Sequence, residues 1–322
     1  MRTIISIIIL NWNGKHHMKD CLDSVLSQSL SDFEVIVVDN GSKDASQDYI
    51  KDNYPQVKLV CLNQNYGFCK GNNEGIKVAN GEYIVLLNND TLVEKDWLNN
   101  LYKCMMSEPD LGFCASKIVS YYNRDSIDAA GDGFSICGAG FKRGYLDDAS
   151  IYMKDEYVFG ACAGAAMYKK QMLDEIGLLD EDFFVAYEDS DLSFRAQLAG
   201  YKCKFSSEAI VYHKINSTLG KLSDFYVFYG HRNAEYVYFK NMPTRLIYRT
   251  FFRHLAYVII AGFYFTYKGK GLTFIKAKID FLKNFNEVLV KRRNIQNNRK
   301  VSDEYIWNIL EKKWLRTRLK GK

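Results

Sequence analysis

The run Tyr83-Ile84-Val85-Leu86-Leu87 constrains this chain more than any other stretch. It is short, apolar and rich in β-formers, with Gly81 before it and Asn88-Asn89-Asp90 after it. Such a run, without polar alternation, reads as a strand covered on both faces, as in a parallel sheet flanked by helices. Two earlier runs follow the same plan. Residues 3–10 end in Asn11-Trp12-Asn13-Gly14, and residues 33–38 end in Asp39-Asn40-Gly41-Ser42. In a parallel sheet these three polar ends share one edge, and that edge is where open α/β sheets bind ligands.

Helical spacing fills the intervals, at 19–27, 46–52, 70–79 and 95–106, with further strands expected at 57–62 and 111–119. This βαβα rhythm implies a parallel sheet with right-handed crossovers. Between 121 and 157 the pattern gives way to a glycine-rich stretch, expected to be a loop forming one wall of a site. A small-residue run, Gly160-Ala161-Cys162-Ala163-Gly164-Ala165-Ala166, permits close backbone approach. A short helix is expected at 170–176, regular structure at 183–200, a hairpin over 201–213, and helix from about 222 to the end.

With 322 residues, 48% of them hydrophobic, and only three prolines, the chain has material for a large core and is not disordered. Its eight cysteines contain no C-x-x-C pair, which excludes a zinc ribbon or a disulfide scaffold and fits a reduced cytosolic setting. The apolar N-terminus is too short for a signal peptide and reads as the first strand. The Asn-x-Ser/Thr matches at Asn40, Asn89 and Asn216 read as chance. Charge is unevenly divided. Residues 241–322 hold 19 Lys+Arg and 5 Asp+Glu, net +14, while residues 1–240 hold 24 and 33, net −9. A basic tail on an acidic body faces something anionic, nucleic acid or a membrane surface.

Several residue groups carry candidate chemistry. Asp90, just past a buried strand and flanked by amides, suits a hard divalent cation bridging phosphate oxygens, although Asn-Asn-Asp is also ordinary turn chemistry. Asp39 is placed to accept a hydrogen bond from a base imide or a ribose hydroxyl, or simply to cap a turn. Asn63-Gln64-Asn65-Tyr66-Gly67-Phe68, with Gly71-Asn72-Asn73 behind it, is an amide-rich entry to a helix that can hold a sugar or phosphate. Glu188, Asp189 and Asp191 crowd a helix start after an aromatic stretch. Acids there favour the helix dipole, and a carboxylate beside apolar rings is also a general base for an alcohol. Arg195 can pair with one of them. His213 ends an apparent strand and is either structural or a ligand.

Taken in order, Ser6 to Asn13, Val38-Asp39-Asn40-Gly41-Ser42, Asn65-Tyr66-Gly67-Phe68, Asn88-Asn89-Asp90, Glu188-Asp189-Ser190-Asp191-Leu192 and then His213 resemble the family 2 glycosyltransferases with a GT-A fold. The likeness runs over residues 3–240 and is greatest to the rhamnosyltransferase-like branch of bacterial and archaeal surface polysaccharide synthesis. It implies an α/β fold, a Rossmann-like, mostly parallel sheet with a helical, basic C-terminal extension. It implies a catalytic domain at 1–240, nucleotide-sugar half to about 119 and acceptor half from about 120, and an extension at 241–322.

The resemblance also assigns roles. Asp189 becomes the catalytic base. Asn11, Asn13, Asp39, Asn65, Gly67, Asn72, Asn88, Asn89 and Arg232 fall to the nucleotide sugar, Arg232 within a segment, 229–233, that resembles a helix start. Asp90 and His213 would hold Mn2+ or Mg2+, with Asn88 standing where the family has its first acid and offering a neutral oxygen. Glu188, Asp191 and Arg195 are left for the acceptor or for orienting the base.

The implied activity is inverting transfer of a sugar from a nucleoside diphosphate sugar, dTDP-rhamnose or a UDP-hexose, to a glycan or polyprenyl-diphosphate-linked acceptor. Two alternatives remain: a non-catalytic scaffold of the same fold, to which Asn88 lends support, and a sugar-phosphate nucleotidyltransferase, for which Gly14-Lys15 is too sparse a phosphate loop. In the tail, residues 255–265 form an apolar run shorter than the ~20 residues that span a bilayer. Basic residues flank it, as in an interfacial helix; the alternative is a helical bundle packed on the sheet domain. The expected setting is the cytoplasmic face of the cell membrane, peripherally held, with no nucleic-acid role because nucleic acid gains nothing from the apolar run.

Overall fold

In the computed structural model, residues 4–214 and 222–313 are described. The start of the first strand at Thr3, the polar loop Asn216-Ser217-Thr218 and the basic run after Lys313 lie outside them. The first part of the chain alternates as its sequence predicts: β1 (Ile5–Asn11), α1 (Lys15–Leu26), β2 (Phe33–Asp39), α2 (Ser46–Asn53), β3 (Lys58–Cys61), α3 (Gly67–Lys77) and β4 (Tyr83–Asn88). These four strands are parallel, in the order β3-β2-β1-β4. Alternation along β1 builds two cores. Ile5, Ile7 and Ile9 pack in one with Met18, Leu22 and Val25 of α1, while Ile8 packs in the other with Ile76 of α3. Glycine lets α3 sit close: a Cβ at Gly71 would stand 2.4 Å from Leu10, and one at Gly75 2.6 Å from Ile8.

Beyond β4 come β5 (Thr91–Val93), α4 (Trp97–Met106), β6 (Leu111–Ser120), β7 (Ile127–Ala130), β8 (Asp132–Phe134), β9 (Gly140–Lys142), β10 (Glu156–Val158) and β11 (Ala165–Lys169). Then follow α5 (Lys170–Ile176), α6 (Glu188–Leu198) and β12 (Lys202–His213). The sheet is mostly parallel, as expected, with β11 inserted antiparallel between β4 and β6. Two expectations need correction here. Residues 201–213 form no hairpin but one strand parallel to β6, and a register shift between Ser206 and Ile210 accounts for the polar interruption that imitated a turn. The glycine-rich stretch is not a bare loop; it holds four short strands.

The remaining helices are α7 (Asp224–Asn241), α8 (Thr244–Tyr267), α9 (Gly271–Lys283), α10 (Phe285–Asn297) and α11 (Asp303–Ile309). The expected boundary at 240/241 falls in the last turn of α7. Helix α7 packs against α6, α9 and α10. Among the described residues, no helix is long and apolar enough to cross a membrane.

Candidate active site

The ends of β1, β2 and β4 are tied side to side. Asn11 is fully buried and donates from Nδ2 to Asp39 Oδ2 at 2.9 Å, while its Oδ1 accepts from Asn89 Nδ2 at 2.8 Å. Asp39 also accepts from the Ser42 backbone N–H and from Gln47 Nε2. It is wholly covered, so it organises the edge and presents no surface of its own. Asn13 adopts a positive φ of 52°, with its N–H on Ser42 and its Oδ1 accepting from the Lys43 N–H. A cleft of about 200 Å3 opens at this edge, lined by Leu10, Trp12, Phe68, Asn88, Asn89 and Asp90. Trp12, not singled out from the sequence, stands half-exposed at its rim.

The amide-rich segment braces the cleft from beneath. Asn40 donates to Asn65 Oδ1 and to the Gly67 carbonyl, and Asn65 accepts from the Gly67 N–H. Gly67 has φ +84°, and a Cβ there would meet the Phe184 carbonyl at 2.5 Å. Asn72 is not brought to the cleft: it is buried in α3 and donates to the Phe68 carbonyl one turn back.

Asp90 and His213 meet because β12 pairs with β5 immediately after Asp90, with His213 opposite Thr91. His213 Nε2 lies 3.2 Å from Asp90 Oδ1, and its Nδ1 lies 2.9 Å from Asp128 Oδ2. Burial opposes charge on His213, but the bonds to Asp128 and Asp90 prevail and push its pKa up to about 9. Burial likewise opposes ionisation of Asp128, yet His213 and Lys142 hold it down at about 2. Asp90 is lowered against burial by His213. As they stand Asp90 and His213 form an ion pair; two donors each about 2.1 Å from one cation at a right angle also stand ~3 Å apart, so the pair could share a divalent ion once His213 gives up its Nε2 proton. A carboxylate on the far nitrogen, as Asp128 supplies, is the usual way a ligating imidazole is oriented. Nothing in the local sequence marks Asp128, which sits on a strand of four residues.

Lys142 extends the chain of charge. Its Nζ is 2.7 Å from Asp128 Oδ2, and its field reaches Asp132 and Asp189. Asp132, Cys162 and Asp189 bring donor atoms within 4.8 Å of one another. Burial raises the Asp189 pKa, and burial together with the Asp189 charge raises that of Asp132 well above the usual range. Burial also holds the Cys162 thiol well above its ordinary value, so this cluster mixes a soft, protonated donor with acids and suits an oxygen-seeking cation less than Asp90 and His213 do.

Helix α6 is buried nearly all round. Its entry is strained, since Ala186 and Tyr187 both have φ +68°. The buried Asn233 holds that turn, donating to the Val185 and Ala186 carbonyls at 2.9 and 2.8 Å. Arg232 donates to Asn233 Oδ1 and to the Asp182 carbonyl and pairs with Asp280, so it clamps the turn. The segment expected as a helix start lies instead in the middle of α7. Glu188 is buried with Oε2 lacking a hydrogen-bond partner; burial, reinforced by the Asp189 charge, pushes its pKa up to about 8. Asp191 and Arg195 pair with each other at 2.9 Å, and Asp191 also bonds Lys240 and Asn241. Arg195 spends its other donors on the carbonyls of Ile176, Gly177 and Leu178, so it orients Asp191 and not Asp189.

The family model for glycosyl transferase family 2 matches residues 6–177, more than half of the chain. The chain belongs to glycosyl transferase family 2. Within that family, the poly-beta-1,6-N-acetyl-D-glucosamine synthase of Staphylococcus epidermidis is 26% identical over 224 residues, 68% of this chain and 52% of that protein. The chain spans between a quarter and about half the length of the first curated relatives it matches. Among solved structures, GalNAc-T7 with UDP, GalNAc and Mn2+ superposes with a TM-score of 0.60 at 16% identity, covering 73% of this chain and 47% of that one. The mannosyltransferase PcManGT of Pyrobaculum calidifontis, in complex with GDP-Man and Mn2+, gives 0.53 at 16% identity and covers 88% of each chain. The fold of this family 2 glycosyltransferase is therefore GT-A.

Proposed function

We propose that this chain transfers a sugar from a nucleoside diphosphate sugar to a hydroxyl of a glycan or lipid-linked glycan, with inversion, in the synthesis of a cell-surface polysaccharide. The observation that supports this is the hydrogen-bonded line from Asp90 through His213 and Asp128 to Lys142, with the field of Lys142 reaching Asp189: a pair able to share a metal at one end and a carboxyl suited to serve as the base at the other. Asn11, Asn13 and Asn89 frame the donor edge, with Asn88 and Trp12 on the cleft wall. Asp39, Asn65 and Gly67 hold that frame in shape. Asp90 and His213 would hold a divalent cation, Mn2+ or Mg2+, which would supply positive charge beside the diphosphate leaving group.

Asp189 does the proton work. Its partial burial keeps its carboxylate basic, and Asp189 accepts the acceptor's hydroxyl proton as that oxygen bonds to the anomeric carbon and the bond to the diphosphate breaks. One displacement, with no covalent intermediate, inverts the configuration. The donor is dTDP-rhamnose or a UDP-hexose. The polysaccharide setting is supported by the Staphylococcus epidermidis relative, and the peripheral position on the inner membrane face by the basic, helical tail. A donor panel with Mn2+ or Mg2+ and with chelator, reading nucleoside diphosphate release, tests the proposal. Metal-dependent release that collapses in Asp189→Asn supports it; the absence of turnover and of metal-dependent nucleotide binding with every donor would move the weight to a scaffold.

A further inference from the structure

Helix α8 has two unlike faces. Leu246, Thr250, His254, Tyr257 and Ala261 are buried against the protein. On the opposite side Tyr248, Phe252, Leu255, Ile259, Phe263 and Tyr267 recur at helical spacing and are all exposed, Phe252 by 80% and Phe263 by 74%. Helix α9 packs beside α8 and adds Leu272, Ile275, Ile279 and Leu282, again exposed. Scattered exposed apolar residues are ordinary, but an exposed apolar row along one face of a long helix, with a second helix packed beside it that exposes four more, is not.

Charge identifies what covers it. Residues 244–283 contain eight Lys or Arg and a single acid, Asp280, which Arg232 engages. Helix α8 has no acid at all, and Arg245, Arg249 and Arg253 are exposed along its first half while Lys268 follows its end. A second copy of the chain is a poor occupant, because both ends of α8 are basic and either orientation sets like charge against like. Helix α8 is about 36 Å long at 1.5 Å per residue, but its inner face is committed to protein, so it lies along a bilayer and not through it.

We propose that the exposed face of α8 and α9 is a docking surface for an anionic lipid bilayer, with the aromatic and aliphatic strip among the acyl chains and the arginines at the phosphates. The surface connects to the site. His254 Nδ1 lies 2.8 Å from the Cys137 carbonyl, and Tyr257 packs with Cys137 and Ala139. That turn joins β8 to β9, the strands bearing Asp132 and Lys142 beside Asp189. A bilayer holding α8 therefore lies close to the wall where the acceptor enters, and the acceptor class that fits is a lipid-linked sugar. This last step rests on the transferase proposal; the docking surface does not.

Flotation of the full chain with vesicles of phosphatidylcholine, with and without phosphatidylglycerol, tests it. Binding is expected to the anionic vesicles, with little to the neutral ones, and to weaken as salt is added. Arg245→Gln with Arg253→Gln lowers affinity for anionic vesicles by about fivefold per arginine. Phe252→Glu with Phe263→Glu lowers it more than about tenfold, these residues being exposed and their loss leaving the thermal melt unchanged. Absence of binding by the wild type, or equal binding by the arginine variant, overturns the proposal. So does a dimer in sedimentation that Phe252→Glu separates without any vesicle binding. Vesicle binding by a protein that turns over no nucleotide sugar would leave the docking surface standing and remove the transferase proposal.

Discussion

The two faces of α6 carry the same residue type with opposite consequences. Asp191 is enclosed by Arg195, Lys240 and Asn241, and although burial opposes its ionisation the Lys240 and Arg195 cations hold its pKa below the usual value. Two positions earlier, Asp189 has no such cation bonded to it among the described residues, and burial raises its pKa. Glu188 beside it leaves a buried oxygen without a partner. One face is closed on itself and contributes structure. The other holds the Asp189 carboxyl above its ordinary range through burial, the direction that favours accepting a proton.

The largest expected effect tests the open face. Asp189→Asn keeps the shape and removes the base, and turnover should fall on the order of a thousandfold with donor binding little changed, read as kcat and nucleotide affinity on the same preparation. A comparable loss in Asp191→Asn, with no loss of stability, would erase the distinction between the faces. Asp191→Asn is expected instead to lower stability by about 3–5 kcal/mol, because it leaves Lys240 and Arg195 buried beside a neutral group; a denaturant titration measures it.

Glu188 sharpens the contrast through pH. Its folded pKa of about 8 lies above the ordinary 4.5 of a free glutamate, so the unfolded carboxyl ionises first and stability falls as pH rises through that interval. In Glu188→Gln that fall should shrink by on the order of a few kcal/mol between pH 5 and 8, visible in melts across the range; an unchanged slope would mean another group causes it. The smallest effect concerns Arg195→Lys, which keeps a charge near Asp191 but forfeits the fork to three carbonyls, at about 1–2 kcal/mol, again by denaturant titration.

Legibility in the sequence followed length and periodicity. Strands β1, β2 and β4 are continuous apolar runs with polar ends, so their existence and their shared edge could be read directly, and Asn11, Asp39 and Asn89 do meet there. Asp128, Asp132 and Lys142 sit on strands of three or four residues, too short to show a period, and nothing local distinguishes them. Strand β11 escaped notice as an antiparallel insertion because its start lies in a run of small residues without β-branching. Arg232 was readable as important but not as a clamp, since its partners at 182 and 280 are distant in sequence.

The Asn233 contacts with Val185 and Ala186 have a practical consequence for anyone shortening this chain. The amide that fixes the approach to Asp189 comes from the helical part, downstream of the last strand. A fragment trimmed to its sheet would keep every strand and still lose the aim of its base. For display, crystallisation or domain exchange, α7 therefore travels with the residues before it, as a part of the same tool and not as its handle.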